Sequence, residues 1–207
     1  MIQKLEKVLQ EAIQTNAKPK SSIGLPAPLQ HVAAEIRERY GEAHDFLVTF
    51  SKDIQPAVAG NPERAYLGTA PSLTKVRQAY NDEVLVSWLM AQLENLNDFS
   101  GANQKMTLVQ MEETARMIMV EYHYLKVTEI HLFLHRLKAG RYIQFYGSVD
   151  PMKIMEGLTK FSSERILEIS YYERKRRDAE FSNLREKWAK ECVSREEYER
   201  MKAAKQK

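Results

Sequence analysis

The chain has 207 residues, 43% of them hydrophobic and 29% charged, and a net charge of +3. That is the balance of an ordinary soluble globular protein, not of a uniformly basic nucleic-acid coat. Eight glycines and seven prolines leave little material for a loop-rich or strand-rich fold, and one cysteine, Cys192, excludes an intrachain disulfide or a cysteine-based zinc cluster.

The first residues carry Ile2, Leu5, Val8, Leu9, Ala12 and Ile13 at i, i+3, i+4, i+7 spacing, the pattern of a short amphipathic helix. The apolar stretch is too interrupted for a secretory signal. The segment TNAKPKSSIGLPAP then breaks the pattern with prolines and a glycine and reads as a linker. Leu29, Val32, Ala33, Ile36 and Tyr40 share one face of a second helix that Gly41 ends, and Phe46, Leu47, Phe50 and Ile54 mark a third. QPAVAGNPERAYLGTAP, residues 55–71, is expected to be irregular, with Tyr66 and Leu67 as the side chains able to anchor it.

After Pro71 the signals sharpen. Ser72 is placed to cap a helix carrying Leu73, Val76 and Tyr80, and Asp82 to cap the next, whose Val84, Leu85, Trp88, Leu89 and Leu93 form an apolar face. NDFSGANQK, residues 97–105, is expected to be a loop. Thr107 and Gln110 fit a reciprocal capping box, with Met106 and Met111 where a hydrophobic staple would sit. Thr128 is expected to start a further helix and Gly140 to end it in a left-handed conformation. Asp150-Pro151 is a strong helix start, followed by the stripe Ile154, Met155, Leu158 and Phe161. Beyond Tyr172 the apolar content thins. ERKRRDAEFSNLREKWAKE reads as a solvated helix with only Phe181, Leu184 and Trp188 on its apolar side, and Ser194 with Glu197 suggests a last short helix. No strand pattern and no fixed repeat emerge.

These readings predict an all-α protein, a compact helical bundle with helical N- and C-terminal extensions. Its expected parts are an N-terminal helix and linker (1–28), a helical extension and irregular linker (29–71), a core helical domain (72–170) and a charged helical tail (171–207). No stretch approaches the roughly 18 apolar residues of a membrane span, so a cytoplasmic protein with no membrane partner is expected.

Candidate chemistry concentrates in YLKVTEIHLFLHRLKAGRYIQFYGSVDP, residues 124–151, which joins two histidines to basic and aromatic side chains. On a helical wheel Ile130, Phe133, Leu134 and Leu137 share one face and His131, His135 and Lys138 another, with Arg136 flanking the first. His131 and His135 stand at i, i+4, a spacing at which two imidazoles reach one metal, which raises a metal-dependent hydrolase as an alternative. Leu132 occupies the place where zinc proteases carry a glutamate. The preferred reading makes His135, Arg136, Lys138, Arg141 and Tyr142 a surface recognition face, because basic residues beside aromatics neutralise phosphates and stack bases. Arg174, Lys175, Arg176 and Arg177 form a second basic candidate, set among Glu173, Asp178 and Glu180. No phosphate-cradling glycine motif, nucleophile elbow or catalytic carboxylate pair stands out, and neither a catalytic residue nor a cofactor is expected.

The stretches LGTAPSLTKVRQAY, WLMAQLENLNDFSG, MTLVQMEETARMI, EYHYLKVTEIHLFLHRLKAGRY and FYGSVDP resemble an uncharacterised family of all-helical bacterial proteins carried on mobile elements and phages. The resemblance covers roughly residues 65–178 and is most specific in YLKVTE, FLHRLKAG and FYGSVDP. The order of segments 106–122, 124–129, 130–139, 140–146 and 150–161 is also similar, more faintly, to small non-ATPase phage helicase-loader proteins. The family carries no activity over; the lack of a catalytic constellation, the split between acidic residues 81–121 and basic residues 122–147, and the fainter loader resemblance together suggest a non-enzymatic helical adaptor in DNA replication or mobile-element maintenance. Its implied partners are a replication protein such as a helicase and single-stranded nucleic acid. An oligomeric scaffold, a homo-oligomer held by the terminal helices, is the structural alternative.

Overall fold

The computed structural model describes residues 27–192 together with Gln10, Tyr198, Lys202 and Ala204. Apart from Gln10, the expected first helix, all but the last two residues of the linker after it, and the capping pair Ser194 and Glu197 lie outside the described residues. The described part is all-α. In chain order its helices are α1 (Ala27–Tyr40), α2 (Ala43–Thr49), a 3-10 turn (Lys52–Ile54), α3 (Gln55–Gly60), α4 (Pro62–Leu67), α5 (Leu73–Tyr80), α6 (Asp82–Ser100), α7 (Leu108–Glu121), α8 (Val127–Lys138) and α9 (Pro151–Glu191). Among the described residues no helix is long and apolar enough to cross a membrane.

The helix starts follow local chemistry. The Ser72 hydroxyl accepts from the Lys75 N–H, and Thr107 and Gln110 close the expected capping box at the head of α7. Met106 and Met111, the staple pair, are both fully buried. The Met152 N–H donates to the Asp150 carboxylate at 2.8 Å, at the head of α9. Gly41 and Gly140 both take φ of +75°, the left-handed turn expected after α1 and α8. At α6 the cap is Asn81 and not Asp82. Asn81 holds φ at +110° and ψ at 175°, a strained combination otherwise almost confined to glycine, while its side chain accepts from the Val84 N–H.

Two expectations fail on length. Residues 97–100, expected in a loop, are the last turn of α6, where buried Asn97 bonds both the carbonyl and the N–H of Met106 and anchors the chain leaving the helix. Residues 55–71, expected to be irregular, contain α3 and α4, each opened by a proline in its first turn. Burial of Tyr66, 2% exposed, ties this segment down, whereas Leu67 stays only half-buried.

The chain forms two compact units, one ending at Glu164 and one beginning at Arg165. In the first, α1 packs on α5, α6 on α7, and α3 and α4 both on α8. Residues 29–71 thus contribute to the same unit as α5–α8. Phe46 lies at the centre of one aromatic cluster, 5.1 Å from the rings of both Phe50 and Tyr80 and 6.3 Å from Trp88. A second cluster gathers Tyr66, Phe133, Tyr142 and Phe161. Gly157 lets α9 approach it closely: a Cβ there would meet the Phe133 ring and the Leu137 methyl at 3.4 Å. The approaches to α5 and α8 are laced by backbone bonds, Leu73 N–H to Leu125 O at 2.8 Å and Val127 N–H to Pro71 O at 3.0 Å.

The second unit contains the distal part of α9. Every residue from Glu173 to Lys190 is exposed, so this stretch is the solvated helix that its composition suggests.

Candidate recognition surfaces

Helix α8 was expected to be half core and half recognition face. It is instead a central helix. Nine of its twelve residues are buried, including His131, Glu129 and Arg136. Five of its six apolar side chains lie within about 120° of the wheel, and Leu132, 1% exposed, lies on the far side, so the helix is covered on opposite faces and several polar side chains are buried with it.

Arg136 corrects the surface assignment most clearly. It is 8% exposed, and its guanidinium donates to the Tyr66 hydroxyl at 3.0 Å and the Tyr142 hydroxyl at 3.4 Å, beside Glu164 at 3.5 Å. Tyr142 is half-buried, stacks on Phe133 and donates to the Glu164 carboxylate at 2.7 Å. Burial, and then the bond to Glu164, push its phenol well above the ordinary range. Arg141 is exposed, yet its guanidinium also bonds Glu164. Two guanidiniums and a phenol converge on one carboxylate, so both cations have a partner within the fold. Glu164 carried no sequence signal. It stands 28 residues beyond Arg136 on another helix, and only the packing of α9 on α8 makes the pair.

Lys138 is half-buried rather than displayed. Its ammonium donates to Gln55 Oε1 at 2.7 Å and to Asn95 Oδ1, and lies 5.6 Å from the Phe99 ring centroid. Desolvation lowers its affinity for a proton, and Lys52 adds to the effect. The Gln55 amide in turn donates to Gln92 at 3.0 Å. His135 is half-buried on the same helix.

His131 is fully buried, edge-on to Trp88 with ring centroids 5.4 Å apart. Neither ring nitrogen has a hydrogen-bond partner, and the Phe50 carbonyl close by accepts from the Trp88 indole at 2.7 Å. Burial therefore pulls the imidazole down to about 4, with Lys138 adding to the lowering and the Phe50 carbonyl opposing it. An imidazole in this position is a neutral core side chain. Among the described residues no group of three His, Cys, Asp or Glu side chains is placed to hold a metal ion, so the His131–His135 pair has no third ligand there.

The other basic candidate lies as its sequence suggests. Arg174, Lys175, Arg176 and Arg177 are all exposed on distal α9, with Tyr171 exposed one turn earlier at 62%. Further along the same helix Phe181, Leu184 and Trp188 are also exposed, at 66%, 44% and 61%. A helix with this much aromatic and basic side chain in water presents both charge for phosphates and π faces for bases. It offers the same groups to an acidic protein surface.

Neither the comparison with curated proteins nor that with solved structures gives a match. Residues 105–207, which span α7, α8 and α9 and so include both basic candidates, are similar to a family of unknown function, DUF6633.

Proposed function

We propose that the chain is a cytoplasmic, non-enzymatic helical adaptor acting in DNA replication or mobile-element maintenance. It binds its partner through the distal part of α9. The observation that carries this reading is the exposure of Arg174, Lys175, Arg176 and Arg177 beside Tyr171, on a stretch with no buried residue from Glu173 to Lys190. The resemblance of the YLKVTE, FLHRLKAG and FYGSVDP segments to helical proteins of mobile elements and phages supports the biological setting. Single-stranded nucleic acid fits the chemistry of the surface. A replication protein such as a helicase is the partner that the fainter resemblance supports.

The test is a fluorescence-anisotropy titration of the full chain with a labelled single-stranded oligonucleotide across a range of salt. Binding is expected at low salt, weakening steeply as salt rises. Lys175→Ala/Arg176→Ala is expected to flatten the slope of log K against log salt by about 1.4, the effect of two lost phosphate contacts. No binding at low salt, or an unchanged slope in the double variant, would refute the nucleic-acid reading. Recovery of a replication protein on the wild-type chain but not on the double variant would move the assignment to a protein partner.

A further inference from the structure

Three exposed apolar side chains on distal α9 line up with part of the basic run. At 100° per residue, Arg174, Arg177, Phe181, Leu184 and Trp188 fall within roughly 50° of one line along the helix. Lys175 and Arg176 point away from that line. Written as heptads, Arg174, Phe181 and Trp188 take the a positions, and Arg177 and Leu184 the d positions. All five are exposed. The flanks are charged in a definite order: Asp178 and Arg185 on one side, Glu180 and Lys187 on the other.

We propose that this stripe pairs with the same stripe of a second copy of the chain, and that the two helices run antiparallel. The pattern of charge decides the direction. In an antiparallel pair each a position faces a d position, so Phe181 of each copy meets Leu184 of the other. Trp188 then meets Arg177, a guanidinium over an indole face. Flanking positions face their own kind, so Glu180 meets Lys187 and Asp178 meets Arg185, each twice by symmetry. Every flanking contact is attractive. A parallel pair would set Arg174 on Arg174, Arg177 on Arg177 and Glu173 on Asp178, and only Glu180 with Arg185 would be favourable. The two-fold pairing leaves Lys175 and Arg176 outward at both ends. It is therefore compatible with nucleic-acid binding by those residues and does not depend on it.

Sedimentation equilibrium of the full chain tests the pairing. A monomer–dimer equilibrium is expected within the micromolar range. Glu180→Lys turns two attractive contacts per dimer into two repulsive ones and is expected to raise the dissociation constant by about ten-fold. Glu180→Lys/Lys187→Glu restores the antiparallel contacts and is expected to return it to the wild-type value. These side chains are exposed, so circular dichroism should stay unchanged in both variants. Cys192 reports the direction independently. Antiparallel helices hold the two Cys192 sites about 28 Å apart, so a short bismaleimide should not link them, whereas it would in a parallel pair. A monomer throughout the range, a dimer indifferent to Glu180→Lys, or rescue by Glu180→Lys/Arg185→Glu in place of the Lys187 swap would each overturn the proposal.

Discussion

Helix α8 and the distal stretch of α9 are built from similar basic and aromatic residues and end in opposite environments. In α8, Arg136 is 8% exposed inside a network of Tyr66, Tyr142 and Glu164, while on α9 Arg174 to Arg177 are all in water. The difference lies in the apolar background. Val127, Ile130, Phe133, Leu134 and Leu137 give α8 a broad apolar face and buried Leu132 covers the opposite one, whereas Phe181, Leu184 and Trp188 make only a narrow, exposed stripe. A cluster of cationic and aromatic side chains is thus no guide to a binding face until the residues between them are counted.

The comparison breaks first at Phe133. It is 1% exposed, with ring contacts to Tyr142 and Phe161. Phe133→Ala should cost about 3–5 kcal/mol in urea denaturation, through lost transfer energy and the cavity left behind. A cost below about 1 kcal/mol would remove α8 from the core.

His131 provides the next effect through pH. Its folded value near 4 lies below the ordinary 6.5 of an unfolded chain. Between those values the unfolded state binds more protons, so stability is fully present above pH 6.5 and is lost as pH falls towards 4. The full loss is about 3 kcal/mol. His131→Leu should flatten that part of the stability–pH curve. It should also leave neutral-pH stability nearly unchanged, because the Phe50 carbonyl beside the ring keeps its bond from the Trp88 indole when the imidazole is gone. An undiminished slope in the variant would assign the pH dependence to other groups.

Arg136 ranks third. Arg136→Ala removes the donor to the Tyr66 hydroxyl and one of the two guanidiniums on Glu164, while the Tyr142 hydroxyl keeps its bond to Glu164. Since Glu164 keeps 29% side-chain exposure, the expected loss is about 2–3 kcal/mol, at the lower edge of what breaking a buried pair costs. Lys175→Ala/Arg176→Ala, by contrast, should move stability by less than about 0.5 kcal/mol.

Much of the fold was legible because its signals are local. Ser72, the Thr107–Gln110 box, Asp150-Pro151 and the glycines after α1 and α8 act within one turn of themselves, and each does so in the structure. What escaped the sequence depends on distant partners. Asn97 extends α6 by reaching Met106, and Tyr66 fixes α4 by packing on Phe161. Glu164 gathers Arg136, Arg141 and Tyr142 from another helix. The assignment of Arg136 to the surface failed for the same reason, since the Tyr66 hydroxyl it donates to lies on another helix and leaves no local trace. The basic run on α9 could be read correctly because a solvated helix needs no partner to define it.

The most direct test of this division of roles is one oligonucleotide titration at low salt with both basic variants side by side, at a temperature where each is folded. Arg136→Ala is expected to bind within about two-fold of wild type, and Lys175→Ala/Arg176→Ala about ten-fold or more weakly, since phosphate contacts dominate such affinities. The reverse order, with Arg136→Ala the weaker binder, would contradict it and return recognition to α8.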